Sequence, residues 1–151
     1  MPVGEYVLKN LVEGERLLYT TRLSWLIFVK PIFFILVVGI ILAIAHVPFW
    51  IIICILILLA LIFLIPTWLL YNFSEFAVTN KRVILKRGWL TRTAFEINLT
   101  HMESFMVEQG LFGRMFNYGA VRVTGTGGSK ERFSMIASPM SFRKAALEAM
   151  G

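Results

Sequence analysis

Lys81, Arg82, Lys86, Arg87 and Arg92 place five cations within twelve residues. Cations at that density attract anionic groups, and one beside an anionic bilayer surface contributes about 1 kcal/mol. The same charges can equally be solvated strand ends. Little else in the chain suggests chemistry. Gly125-Thr126-Gly127-Gly128-Ser129-Lys130 lacks the spacing of a phosphate loop and leads into no helix, so it reads as a hairpin tip. His46, His101 and Cys54 have no second ligand at metal spacing. No nucleophile stands beside a base. The sequence therefore predicts no catalytic residues, no metal and no cofactor. Net charge is +6, but no nucleic-acid motif or basic helix accompanies it, and no nucleic-acid partner is expected.

What positions these cations is an uncharged stretch. Pro31 to Ser74 is forty-four residues without Asp, Glu, Lys or Arg. Hydrophobic residues make up 58% of the chain and mean hydropathy is +0.75. A bilayer core of about 30 Å needs roughly 20 helical residues, so two spans fit, 23–45 and 49–71. One helix over 23–71 would be about 73 Å long. The chain must therefore reverse at Ala45-His46-Val47-Pro48. Trp25, Trp50, Trp68 and Tyr71 stand near the span ends as interfacial aromatics do. Lys30 lies close enough to one end to reach headgroups. Gly39 and Ala43 have the spacing of a helix-packing motif. Lys9, Arg16, Arg22 and Lys30 precede the hairpin, the five cations follow it, and its turn has no Lys or Arg. The positive-inside rule puts both termini in the cytoplasm, the location expected being a bacterial inner membrane.

From Ser74 the period becomes 2, and strands are expected over 75–79, 82–86, 89–99, 104–108, 120–124 and 131–137. A strand of six residues leaving the membrane at Ser74 covers about 20 Å. Lys81 and Arg82 then fall at the far end, where with Lys130 they face a partner or ligand. Lys86, Arg87 and Arg92 return toward lipid as headgroup candidates. The block 110–119, rich in glycine and large apolar residues, admits two readings. It is an exposed wedge, or a short helical turn whose Leu, Phe and Met fill the core, and the second is preferred. Arg114 is expected to be a buried or half-buried structural cation, paired with Glu108 or Glu103. Pro139 breaks the strand pattern and Ser141 can cap a helix over 142–150. The lead-in, 1–22, packs on the later domain, lies on the membrane or stays a loose tail; the sequence leaves these open.

Several motifs resemble a known family. They are Phe76-Ala77-Val78-Thr79-Asn80-Lys81-Arg82-Val83-Ile84, Lys86-Arg87-Gly88-Trp89-Leu90, the run from Gln109 to Val121, Pro139-Met140-Ser141-Phe142, and Gly14-Glu15-Arg16-Leu17 ahead of a two-helix hairpin. Together they are similar to the bacterial membrane-attached pleckstrin-homology-like domains, once grouped as a domain of unknown function. The resemblance implies an α+β membrane protein. A two-helix transmembrane hairpin is followed, over 74–151, by a seven-strand split barrel with a C-terminal helix. That family shares no general enzymatic activity, which implies a non-enzymatic module. Inositide-binding relatives in eukaryotes carry basic residues around the first two strands, a placement Lys81 and Arg82 resemble. The wider Lys/Arg pattern is not reproduced. The expected function is an adaptor or scaffold docking a partner protein, or a second copy, at the cytoplasmic membrane face. Anionic lipid binding and an accessory role in a membrane enzyme or transporter are the alternatives.

Overall fold

The structure, a computed structural model, describes residues 5–88, 93–128 and 130–151. It divides into two compact units: Trp25–Asn72, and Met1–Ser24 together with Phe73–Gly151.

The first unit is a helical hairpin. A 3₁₀ turn, Trp25–Phe28, leads into α2, Val29–Ile44, and α3 follows over Phe49–Phe73. (α1, Glu5–Lys9, lies in the other unit.) Pro31 sits in the first turn of α2, where its missing N–H leaves no helical hydrogen bond unmade. The reversal has a specific cause. His46 adopts φ 53°, its N–H donates to Ala43 O at 3.1 Å, and Val47 N–H donates to Leu42 O at 3.2 Å. This is the Schellman pattern, which satisfies carbonyls that a helix end leaves open. Phe34 meets Phe63 at 5.4 Å between ring centroids, and Gly39 faces Leu56. No hairpin helix residue is buried. Trp25–Ile44 and Phe49–Phe73 are each long and apolar enough to cross a membrane.

The second unit is built on two antiparallel sheets. β1 (Leu17–Thr21), β2 (Glu75–Thr79), β3 (Arg82–Arg87) and β4 (Thr93–Asn98) form one sheet in that order. β5 (Met102–Glu108), β6 (Tyr118–Gly125) and β7 (Lys130–Ala137) form the other, and α5 (Pro139–Met150) packs on β1, β2 and β5. Phe76, Val78, Val83 and Leu85 from the first sheet share a buried core with Phe105, Val121, Val123 and Phe133 from the second, and with Phe142 and Ala146 of α5. Phe76 stands edge-on to Phe133 at 5.8 Å. The barrel is split. Among the described residues the sheets are tied along one side by the bridge Leu23↔Ile136 and do not close into one.

Three expectations change. The seventh strand is not part of 74–151: it is β1, from the lead-in, so the domain is discontinuous and the hairpin is inserted between its first two strands. Leu23 does not begin a span. It is 2% exposed, and the domain core takes its apolar surface instead. Pro139 starts α5 rather than preceding it, because a proline at the first helical position forgoes only a donor that would be free anyway. The strand expected over 89–99 is described only from Thr93, since 89–92 lie outside the described residues.

The lead-in has a second use. Ala77 and Ile84 are register partners and point away from the main core. Val7 of α1 (Glu5–Lys9) buries them, with Tyr6, Leu11 and Leu17 around it. Glu75 accepts the Val7 N–H at 3.2 Å. Hence β2 and β3 are covered on both faces, and four residues in a row are buried in each, 76–79 and 83–86.

Candidate functional site

The turn between β2 and β3 is polar in sequence and fully used in structure. Arg82 binds Glu15 in bidentate fashion, Nε to Oε1 at 3.0 Å and Nη2 to Oε2 at 3.0 Å. It also donates to Glu96 Oε2 at 2.7 Å and to Asn10 O at 2.7 Å. Glu15 receives further donors from Thr79 Oγ1 at 2.6 Å and Val12 N–H at 2.9 Å. Burial pushes the Glu15 carboxyl up, but Arg82, Thr79 and the Val12 amide together outweigh it and hold it below its ordinary value. The hydrogen bond to Glu15 raises Arg82 against its own desolvation. Lys81 Nζ donates to Glu13 O at 2.9 Å, and Asn80 accepts the Arg16 N–H at 2.8 Å. Asn80, Lys81 and Arg82 thus hold the lead-in loop 10–16. Arg82, expected to face a ligand, is enclosed by protein partners.

The headgroup candidates separate. Lys86 is 8% exposed, with its ammonium 4.2 Å from the centre of the Tyr6 ring. It is covered by the lead-in, which packs on the domain, one of the three arrangements that the sequence leaves open. Arg87, the last residue of β3, is half-exposed. Arg92 lies outside the described residues. Lys130 is exposed at the start of β7. Lys81 and Arg82 flank the second and third strands rather than the first two, because β1 precedes the hairpin. Their likeness to the inositide-binding placement is therefore displaced by one strand.

The block 110–119 holds the largest surprise. It forms a short helix, α4 (Leu111–Met115), but its large residues do not fill the core. Leu111 is 81% exposed, Phe112 69% and Met115 75%, and Phe116 is also exposed. Gly113 faces inward instead. Arg114 is exposed rather than half-buried. Glu108 pairs with Arg122 and Arg132, each at 2.9 Å, and not with Arg114. Helical periodicity does not reveal this inversion, because five residues are too few to define a face.

The domain has a cleft of about 680 Å³ at the end that carries Asn80 and Lys81. Asn98, Leu99, Thr100, Met102, Ala149 and Met150 complete its wall. Among the described residues no group of three His, Cys, Asp or Glu could hold a metal.

A split pair of sheets with a C-terminal helix across it, an open cleft at one end and an apolar turn on its surface define a PH-like binding module. The chain belongs to the bacterial PH domain family, whose pattern matches residues 26–150. The match includes the hairpin and begins after β1. Proteins of this family are generally non-catalytic. No curated protein and no solved structure matches the chain.

Proposed function

We propose that the chain is a membrane-anchored adaptor. Its hairpin spans a bacterial inner membrane with both termini cytoplasmic, and its PH-like domain docks a partner protein there. Charge supports that orientation, since Lys and Arg flank the hairpin on both sides and are absent between Pro31 and Ser74. The two covalent connections to the hairpin, Ser24 and Phe73, leave from one end of the sheets. Thr21, three residues before Ser24, pairs with Phe76, three after Phe73.

The observation that carries the adaptor reading is the cleft of about 680 Å³ at the opposite end. Its lining mixes Leu99, Met102 and Met150 with Asn80, Lys81, Asn98 and Thr100. An even mix of apolar and polar groups matches the composition of protein–protein interfaces. The partner is another protein, a second copy, or the catalytic subunit of a membrane enzyme or transporter.

A photoreactive residue at Asn98 or Thr100 of the full chain, in its native membrane, tests this. One discrete stoichiometric adduct is expected, and none from the same residue at the exposed Lys144 on α5. Equal labelling at all three positions, or none, sinks the reading. The headgroup alternative now rests on Arg87 and Arg92. It predicts that neutralising both removes a preference of the full chain for anionic over neutral lipid, with Lys86 making no difference.

A further inference from the structure

We infer that the α4 turn is a second, monotopic membrane contact, with Leu111, Phe112, Met115 and Phe116 inserted into the lipid interface. The inference rests on the hairpin spanning the membrane, and adds to it a device that fixes the domain against the bilayer.

Position within the domain is the first argument. Ser24, where the chain leaves for the hairpin, donates its N–H to Met135 O at 2.6 Å, and Ala137 donates to Arg22 O at 2.9 Å. Leu23 bridges Ile136. Those same β7 residues pair with the start of β6, Tyr118 with Ala137 and Gly119 with Ile136. The α4 turn immediately precedes β6 and closes this end of β5 and β6, where Glu108 faces Ala120. It therefore shares a rim with Ser24. If the hairpin is in the membrane, covalent continuity holds that rim at the bilayer surface. A lipid interface is then the occupant within reach, whereas a soluble partner would have to fit between rim and bilayer.

Construction is the second argument. The turn is packed small side inward and large side outward. A Cβ on Gly113 would stand 2.6 Å from Tyr118 O, and one on Gly119 would stand 2.7 Å from Glu108 O. Backbone thus lies directly on backbone. Gln109 Nε2 ties the turn from below, donating to Tyr118 O at 3.0 Å and to Gly113 O at 3.2 Å. Asn117, at φ 52°, turns the chain into β6, donating from its amide to Ser138 Oγ at 2.9 Å and accepting the Ser138 N–H at 2.8 Å. Hydrophobic collapse would place the large residues inward, but this scaffold leaves them no room there. Exposed apolar patches of this kind mark interaction surfaces. Phe, Leu and Met beside an exposed arginine, Arg114, have the composition of an interfacial segment, its cation reaching headgroup level.

The test uses the full chain with Cys54→Ser, reconstituted in phosphatidylethanolamine–phosphatidylglycerol nanodiscs. An environment-sensitive fluorophore is placed at Phe112→Cys, at Met115→Cys in a second sample, and at Gly127→Cys on the opposite tip. Brominated acyl chains should quench the probes at 112 and 115 severalfold more than the probe at 127. Substituting Leu111→Ser and Phe116→Ser together should reduce that quenching. Equal quenching at all three positions overturns the inference. So does protection at 112 that persists without brominated-lipid quenching, or that vanishes at one chain per disc, because a protein surface is then the occupant. Alkaline carbonate extraction of the same samples separates the two readings. Release of the chain from lipid fails the hairpin itself, whereas retention with an aqueous probe at 112 fails the α4 contact alone.

Discussion

The β2–β3 turn and the α4 turn close opposite ends of one small domain, and each inverts what its composition suggests. Asn80-Lys81-Arg82 is charged and polar, yet its groups are consumed in holding Glu15 and the loop 10–16. Leu111-Phe112-Gly113-Arg114-Met115-Phe116 is largely apolar, yet its large side chains stand in the open. The difference teaches that residue type alone does not assign a turn to ligand or to core. What decides is whether another segment covers it. The lead-in takes up the polar groups of the first turn, although Asn80 and Lys81 stay exposed along the cleft, and nothing within the described domain covers the large residues of the second.

The comparison breaks most sharply at Arg82. Its partner Glu15 has a side chain with no exposed surface. Removing one member of a buried pair leaves an uncompensated charge and costs about 3–5 kcal/mol. Arg82→Ala should lower the stability of the full chain by that order in denaturant titration in detergent. Arg82→Lys should recover little, since an ammonium cannot make the bidentate contact. A loss under 1 kcal/mol, coupled to lost partner binding, would instead return Arg82 to the ligand-facing role.

Ile84→Ala comes next, at about 2–4 kcal/mol, because it empties the cluster under Val7 and Ala77. The measurement also asks whether the lead-in is integral. If α1 is dispensable, deleting residues 1–9 should leave the cost of Ile84→Ala unchanged; we expect the deletion to shrink it.

Acid should act on the same turn. Glu15 titrates below its ordinary 4.5 in the folded chain, so its stabilisation is complete above that value. It is lost as pH falls through the folded-state value. Wild type and Glu15→Gln should therefore differ in thermal stability at pH 7, and the gap should narrow as pH falls below 4.5. A gap that widens on acidification would contradict the pairing described.

The α4 turn provides the smallest expected effect and the sharpest contrast. Leu111→Ser and Met115→Ser should each change stability by no more than about 0.5 kcal/mol, as exposed substitutions do. Gly113→Ala, beneath the same turn, should cost about 1–3 kcal/mol through overpacking. Stability losses of the Gly113 size at Leu111 would mean that the apolar residues belong to the core after all.

Much of this architecture is legible in the residues. An uncharged run of forty-four exceeds any single span, so a hairpin with its bend near His46 follows from bilayer thickness. Alternation after Ser74 and the punctuation by Gly and Asn mark strands. Motifs from Phe76 to Phe142 carry the family resemblance. These signals are local, and they survive translation from sequence to structure because helix and strand periods are properties of the backbone.

What the residues do not disclose is pairing across distance. Leu17-Leu18-Tyr19-Thr20-Thr21 reads as a β-former without a partner; only the sheet shows it beside β2, with the hairpin between the two strands in sequence. Lys86 resembles an open cation until Tyr6, eighty residues earlier, is found lying over it. The two apolar helices, their turn and the strands after Ser74 were thus determined by the sequence. The use of each cation, the discontinuous domain and the outward face of α4 were decided by tertiary structure. The physical reason is that burial depends on which segment covers which, and coverage by a segment distant in sequence leaves no period to read.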